Sequence, residues 1–458
     1  MSSLHDFTTW EPLLRVLRAD NADALAAPGG QVAGQIGRGG WSLPTRPRRP
    51  RPGQALQVGD MPEFDAVEPI RAALAEDGTD HVSFTVGISP DGSAVLDVFW
   101  PSPAVEPGIG NAYPGSMTLV EGALPEPWRR LPVPVPGATP AASADPALLE
   151  RTLRARIPEA VGATDAEMAD AEKRLGVALP AELAALYRVT RARWQDRAGH
   201  EAAEAFADAV GCELFPLDGL YVADASSRPS RWEFAAMEAA VTAPDAAVQA
   251  LAGSPGWIAF GDNGGGDRLA VDLTPGPGGH IGQVVVIPHE DNLGACLLAD
   301  SLTDLVVNLP TAWGSGTDAH GAPAVARVNA GSLRSVEAAV HPDLEVLSVG
   351  VWDDAPVSLA PVVGLPRLRT LAAYPGTLAD PLEIAALTGL EFLELGPEDW
   401  RVLLDAGAVP RSLSAASVEV HGGRPLLPVV DLVNEILALW DRPPIPRTTL
   451  TGGLGPLA

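Results

Sequence analysis

Apolar positions in the first 140 residues recur first at helical and then at strand spacing. Leu13, Leu14, Val16 and Leu17 put apolar groups on one side of a helix that ends before Ala27-Pro28-Gly29-Gly30. Val67, Ile70 and Leu74 repeat at helical spacing inside a second helix over 63–76. His81 to Ile88 and Ala94 to Trp100 alternate partly with period two, and Ser89-Pro90-Asp91-Gly92 supplies turn chemistry between them, which predicts a hairpin. Together these elements predict a small α+β module over 1–140. The run Arg46-Pro47-Arg48-Arg49-Pro50-Arg51-Pro52 reads as a solvated proline-rich loop, with a basic docking peptide as the other reading. Residues 131–147, LPVPVPGATPAASADPA, are too rich in Pro and Ala to pack a core and favour extended conformations, so a linker is expected there.

A second domain is expected over 150–312. Thr164-Asp165-Ala166-Glu167 has the capping-box pattern, in which hydroxyl and carboxylate each satisfy an orphaned helix N–H. Met168, Ala171 and Leu175 form one stripe, Gly176 is placed to end the helix, and Pro180 opens a second one carrying Leu183, Leu186 and Tyr187. Strands are predicted at Cys212 to Leu217, Trp257 to Phe260, Leu269 to Leu273 and Val284 to Ile287. The last three are joined by glycine turns into an antiparallel meander. Ser301 caps a closing helix with Leu302, Leu305, Val306 and Leu309 on one face.

Over 326–445 the pattern repeats. Leu344, Leu368, Leu390 and Leu413 each open a Leu-x-x-Leu-x-Leu-like unit, at steps of 24, 22 and 23 residues. That is the range of leucine-rich repeats, in which each unit supplies one short parallel strand to a shared core. Trp352, Gly376 and Glu398 stand where the usual Asn or Cys ladder would be. A helix from Val429 to Trp440 is expected to cap the stack.

Charge narrows the partners. The formal net charge is −27, and the parts divided at residues 150 and 310 carry −8, −11 and −8, so no single tail holds the acid. That field repels phosphate backbones, with no basic stripe to offset it, and excludes nucleic acid. It would steer a basic protein toward the surface, although solubility alone is the stronger reading of the acidity taken by itself. Cys212 and Cys296 are the only cysteines, too few for a disulfide framework. The N-terminus lacks a basic start followed by an apolar run, and no stretch approaches a membrane span, which makes the cytoplasm the expected compartment.

The glycine-rich stretch 261–267 is the most conspicuous candidate site. A phosphate cradle would need a following helix and no flanking Asp262 and Asp267. A calcium loop would need alternate oxygen ligands and a distal acid that the spacing does not provide. A strand-connecting turn with glycines at positive φ is the expectation. His280 and His289 bracket a strand and could approach Asp267 or Glu290, but no nucleophile accompanies them. Asp353-Asp354 and Glu398-Asp399 could pair across repeats, although acidic loop tips are ordinarily just solvated. No catalytic, cofactor or metal residues are assigned.

The 150–312 region resembles the SMI1/KNR4 (SUKH) family. The likeness rests on Ile157-Pro158 and the acidic helix, Leu179-Pro180 before Leu183 and Leu186-Tyr187, and Phe215-Pro216-Leu217. It continues through Trp257-Ile258-Ala259-Phe260-Gly261-Asp262, Gly264-Gly265-Gly266-Asp267, Asp272-Leu273, Gly279-His280-Ile281-Gly282 and the helix after Ala299-Asp300-Ser301. The resemblance implies an α+β fold, with helices on an antiparallel sheet, and a non-enzymatic role. In bacteria such domains are associated with immunity proteins that neutralise polymorphic toxins, and in fungi with regulators of cell-wall synthesis and signalling. Two departures stand out: the segment 191–208 is longer and more charged than the family pattern, and the flanks lie outside it.

The chain is therefore expected to be α+β throughout: a small module, a SUKH-like domain, then a short leucine-rich-repeat-like solenoid. The expected function is binding a protein partner, with a basic toxin domain as the leading partner class. A regulatory scaffold is the alternative, and a metal-dependent hydrolase using the acids near 262–272 a remote one. The residues expected to mark the family surface and meet a partner are Leu179, Pro180, Tyr187, Trp257, Gly261, Asp262, Gly264, Gly265, Gly266, Asp267 and Asp272.

Overall fold

The apolar stripe of the first helix, Phe7–Asp20, is buried at Trp10, Leu13, Leu14 and Leu17, and Asp6 caps it by accepting from the Thr8 N–H at 3.0 Å. It packs on the second expected helix, Pro62–Asp77, whose Val67, Ile70 and Leu74 are fully buried. The computed structural model describes residues 3–46, 62–107, 114–196, 199–309, 323–351, 355–421 and 424–455. Most of the Arg/Pro run beginning at Arg46, together with Trp352, Asp353 and Asp354, lies outside those residues.

The chain divides into two compact units. The first joins both ends of the sequence: Met1–Ala123, Arg327–Asp343 and Leu347–Ala458. The second is Leu124–Ala326 with Leu344–Val346.

In the first unit the expected hairpin forms from His81–Ile88 and Ser93–Phe99, paired antiparallel with Phe84 opposite Val98. Three further strands complete this sheet, one of them the two-residue Trp41–Ser42 that pairs with Val32–Gly37. Val32–Gly37 pairs on one side of the hairpin. On the other side the outer strand is Arg447–Gly453, antiparallel to Ser93–Phe99 over seven register pairs. Thr449 Oγ1 donates to Asp97 Oδ1 at 2.5 Å and the Trp100 indole N–H to Thr448 Oγ1 at 3.0 Å. Leu454 then enters the core, while Arg15 and Arg18 donate to the Leu454 and Gly455 carbonyls at 2.8 and 2.6 Å. A Cβ on Gly92 would sit 2.1 Å from the Gly455 oxygen at a backbone φ of +91°, so the chain end closes over a position only glycine fits.

The second apolar position of each repeat, Leu347, Leu371, Leu393 and Ala416, falls in one of four short neighbouring strands, Val346–Val349, Thr370–Ala373, Phe392–Leu395 and Ala415–Val418. The last three run parallel, with Leu371 beside Leu393 and Leu393 beside Ala416. After Ala415–Val418 the sheet changes direction: Pro114–Thr118 pairs antiparallel to it, and Val105–Pro107 antiparallel to Pro114–Thr118. The final helix is Leu426–Ala438, and its apolar side is buried from Leu426 through Leu437.

The second unit is built on the antiparallel meander. Its sheet runs Cys296–Ala299, Gln283–Ile287, Arg268–Asp272, Trp257–Asp262 and Glu213–Leu214, with Tyr221–Val222 also pairing Trp257–Asp262. The expected strand over 212–217 is thus only two residues long. Ile258, Phe260, Leu269, Val271 and Val284 face a core covered by Pro146–Arg156, Ala181–Val189 and Leu302–Asn308. Trp257, Ala259, Ala270 and Val285 face the other way, against Ala223 and Leu251 of the irregular stretch before the sheet. Burial of both faces explains why these strands read as nearly continuous apolar runs.

Local signals set the helices. Thr164 Oγ1 accepts from the Glu167 N–H at 3.2 Å and Glu167 Oε2 from the Thr164 N–H at 2.8 Å, closing the capping box, and Gly176 ends the helix at φ +72°. Ser301 Oγ accepts from the Asp304 N–H at 2.9 Å. The buried Glu182 carboxylate accepts from the N–H groups of Leu302 and Thr303 at 3.3 and 3.0 Å, tying Ala181–Val189 to the positive end of Leu302–Asn308.

The expected linker at 131–147 is instead held against this unit. Trp128, 6% exposed, donates its indole N–H to the Arg228 carbonyl at 2.8 Å. The buried Gln249 amide reads the Val133 backbone in both directions, accepting from its N–H and donating to its carbonyl, each at 2.9 Å. Thr139 O accepts from the Ile281 N–H at 3.1 Å, and the Ser143 and Ser301 hydroxyls meet at 3.0 Å. Composition predicted an extended chain here, but backbone capture by the domain needs no apolar side chains and leaves no such trace.

Candidate functional site

The 261–267 stretch connects Trp257–Asp262 to Arg268–Asp272, two antiparallel strands, and no helix follows it. Gly264 and Gly266 adopt φ of +80° and +107°, which is what their lack of a Cβ permits. Gly265 does not take positive φ; its N–H donates to Asn263 Oδ1 at 2.8 Å. Asp262 Oδ1 accepts from the Gly264 N–H at 2.7 Å, and Asn263 Oδ1 from the Asp267 N–H at 3.1 Å. The turn is thus an interlocked set of side-chain-to-backbone bonds in which the polar residues substitute for ladder partners.

Both flanking acids are engaged. Asp262 pairs with Arg268, whose guanidinium lies over the Phe215 ring, 5.7 Å from its centre. Asp267 accepts from the Asn263 amide at 2.7 Å and from the His289 N–H at 2.9 Å, and its Oδ1 lies 2.7 Å from His289 Nδ1. Partial burial pushes the Asp267 carboxyl up, but the hydrogen bonds from His289 and Asn263 outweigh it and leave it below the usual aspartate value. The His289–Asp267 approach expected from spacing is therefore present, whereas His280 contributes its backbone N–H to Gln283 Oε1 at 2.9 Å.

Asp272 lies at the far end of the same strand and is fully buried. Burial raises its carboxyl above the usual value; the Thr274 N–H at 2.7 Å, the Gln283 amide at 2.9 Å and the Thr274 hydroxyl at 3.1 Å oppose that. Trp257, opposite Asp272 in register, adds a weaker pull, its indole N–H falling short of full hydrogen-bond geometry. Gln283 also donates to the Ala247 carbonyl at 2.8 Å, so the network fastens the irregular layer to the sheet.

The other motif residues are interior too. Tyr187 is fully buried, donates its hydroxyl to the Phe215 carbonyl at 2.7 Å, and is pushed well above the ordinary phenol value by burial. Leu179 is 8% exposed, and Pro180 is the N-cap of Ala181–Val189 rather than a first-turn residue. A Cβ on Gly261 would meet the Cys212 sulfur at 2.9 Å. Of the eleven residues singled out, Asp262, Gly264, Gly265, Gly266 and Asp267 reach the surface together at the turn, whereas Leu179, Tyr187, Trp257, Gly261 and Asp272 are buried.

In the first unit Glu398 pairs with Arg424, which holds its carboxyl below the ordinary value, while burial raises Asp399. Among the described residues no group of three or more His, Cys, Asp or Glu side chains is placed to hold a metal ion. Among them, too, no helix is long and apolar enough to cross a membrane.

A helix layer on an antiparallel meander, fixed by a buried aspartate network and a glycine/aspartate turn, defines the class of this domain. Residues 162–308 match the SMI1 / KNR4 family (SUKH-1), and the chain carries that domain there. A glucan synthesis regulatory protein of Neurospora crassa is 40% identical over 67 residues, which are 15% of this chain and 13% of that protein. The chain thus spans about an eighth of that relative's length.

Proposed function

We propose that this chain is a non-enzymatic regulator that works by binding another protein, in the manner of SMI1/KNR4 scaffolds linked to cell-wall synthesis or signalling. The supporting observation is the SUKH-1 match over 162–308, joined by the likeness to a protein titled as a regulator of glucan synthesis. The parallel strands carrying the Leu-x-x-Leu positions we read as leucine-rich-repeat-like, a second binding surface supported by steps of 24, 22 and 23 residues. The cytoplasm is the proposed compartment.

The test is capture by the full chain, at low salt, from the cells that express it, followed by partner identification. A stoichiometric protein partner is expected; its consistent absence would remove the reading. A second reading, neutralisation of a basic toxin domain, draws support from the evenly spread charge of −27. A toxin gene beside this one and protection of toxin-expressing cells would favour it over the regulatory reading. Metal-dependent hydrolysis by the full chain, lost in Asp267→Ala with the fold intact, would replace both with a catalytic role.

A further inference from the structure

Trp194 and the helix that starts at His200 build one wall of a cleft. Trp194 sits in the short turn Trp194–Asp196, half exposed at 53%, and stacks edge-on with His200 at 5.3 Å. His200 opens the helix His200–Val210, which buries Phe206 and Val210. Between this helix, the strand Glu213–Leu214 and Leu309 lies a cleft of about 690 Å³. Its apolar lining includes Trp194, Phe206, Leu214, Phe215 and Leu309. Gly211, at φ +92°, lets Leu309 approach: a Cβ there would lie 2.9 Å from the Leu309 side chain.

The charged lining is of one sign. Glu204 and Asp208 stand one turn apart on the helix, Glu213 lies on the neighbouring strand, and all three are exposed. Among the described residues no Lys or Arg lines the cleft, and none of these carboxylates is paired with a cation. Like charges at i and i+4 repel, and a merely solvated helix face commonly interleaves them with bases. Arg268, beside Phe215, is tied to Asp262. An apolar cavity with an unrelieved acidic rim is complementary to an apolar side chain flanked by cations.

We propose that this cleft receives a basic segment of a protein partner. The partner inserts an aromatic or aliphatic side chain beside Trp194 and sets Arg or Lys against Glu204, Asp208 and Glu213. The inference rests on the protein-binding reading above and names the surface and the chemistry of its ligand. Arginine suits the site best, because a guanidinium can lie on the exposed Trp194 face while pairing a carboxylate.

The test titrates the full chain with a labelled arginine-rich peptide carrying a central Leu-Phe-Leu core, and with its Gly-Ser-Gly counterpart, by fluorescence anisotropy. The core should tighten binding about tenfold, and E204K/D208K and W194A should each weaken it by about tenfold or more. E213K, on a different element, should act in the same direction, which keeps the result readable if the helix variant folds poorly. The control E159K/D170K reverses two exposed acids outside the cleft and should leave affinity within about twofold. Equal weakening by the control, no effect of the core, or no binding by the wild type would each overturn the proposal. A native partner captured equally well by wild type and cleft variants would also remove the cleft, while leaving the protein-binding reading in place. Failure to capture any native partner would remove that reading, with the peptide titration still deciding the cleft.

Discussion

The two units close their sheets in opposite ways. In the second, Trp257–Asp262, Arg268–Asp272, Gln283–Ile287 and Cys296–Ala299 pair in chain order, each turn delivering the next strand to its neighbour. In the first, the sheet edge beside Ser93–Phe99 is covered by a strand whose contact from Thr448 to Trp100 spans 348 residues. The loop-closure cost of such a pairing grows only slowly with length, so distance is no thermodynamic bar to it. What differs is dependence. The meander carries its own partners, whereas the N-terminal hairpin would present an unpaired edge without the chain end.

Three experiments break or sharpen that contrast, the largest effect first. Removing residues 446–458 takes away seven paired strand residues, the Leu454 plug and the carbonyls held by Arg15 and Arg18. Calorimetry of this truncation should lose the first unit's transition and limited proteolysis should open residues 1–123, with the second unit's transition retained. A surviving first-unit transition would show the hairpin to be self-sufficient. Phe260→Ala empties a fully buried position in the meander and should cost about 3–5 kcal/mol in denaturant unfolding of the second unit. Loss of both units together would mean that they do not unfold separately.

The smallest effect concerns pH. The Asp267 carboxyl is held below its ordinary value near 3.8 by His289 and Asn263, with burial opposing. A lowered folded-state value stabilises the fold at pH above the ordinary one, and that contribution disappears as pH falls through the lowered value. The melting-temperature advantage of wild type over D267N should therefore hold at neutral pH and close as the solution is acidified below 3.8. An advantage that persists in acid would assign the effect to packing alone.

The sequence revealed what was encoded by neighbours. The capping box at Thr164, the C-cap at Gly176, the hairpin at 81–100 and the Gly/Asp turn all rest on residues within a few positions of each other. Arg447–Gly453 was invisible because its sequence, RTTLTGG, buries no residue fully and carries glycines that weaken any strand pattern. Val32–Gly37 alternates in burial, but two of its six positions are glycine, which erases the apolar alternation from the sequence. The helix Pro146–Arg156 had a legible start, Asp145 as N-cap and Pro146 in the first turn, hidden by the proline-rich composition before it. At the candidate site, spacing suggested the contact of His289 with Asp267. The role of Asp272 depended on Gln283, the first residue of the neighbouring strand, which only strand pairing sets opposite it.

The strap from Trp128 to Asp145 has a practical corollary for anyone excising this region. A fragment cut at residue 162, where the family match begins, would discard Leu149 and Leu153, both wholly enclosed, and leave the Gln249 amide facing water where it now grips a peptide group. A recombinant piece that begins ahead of Trp128 keeps those contacts; one trimmed to the homologous stretch is expected to be insoluble.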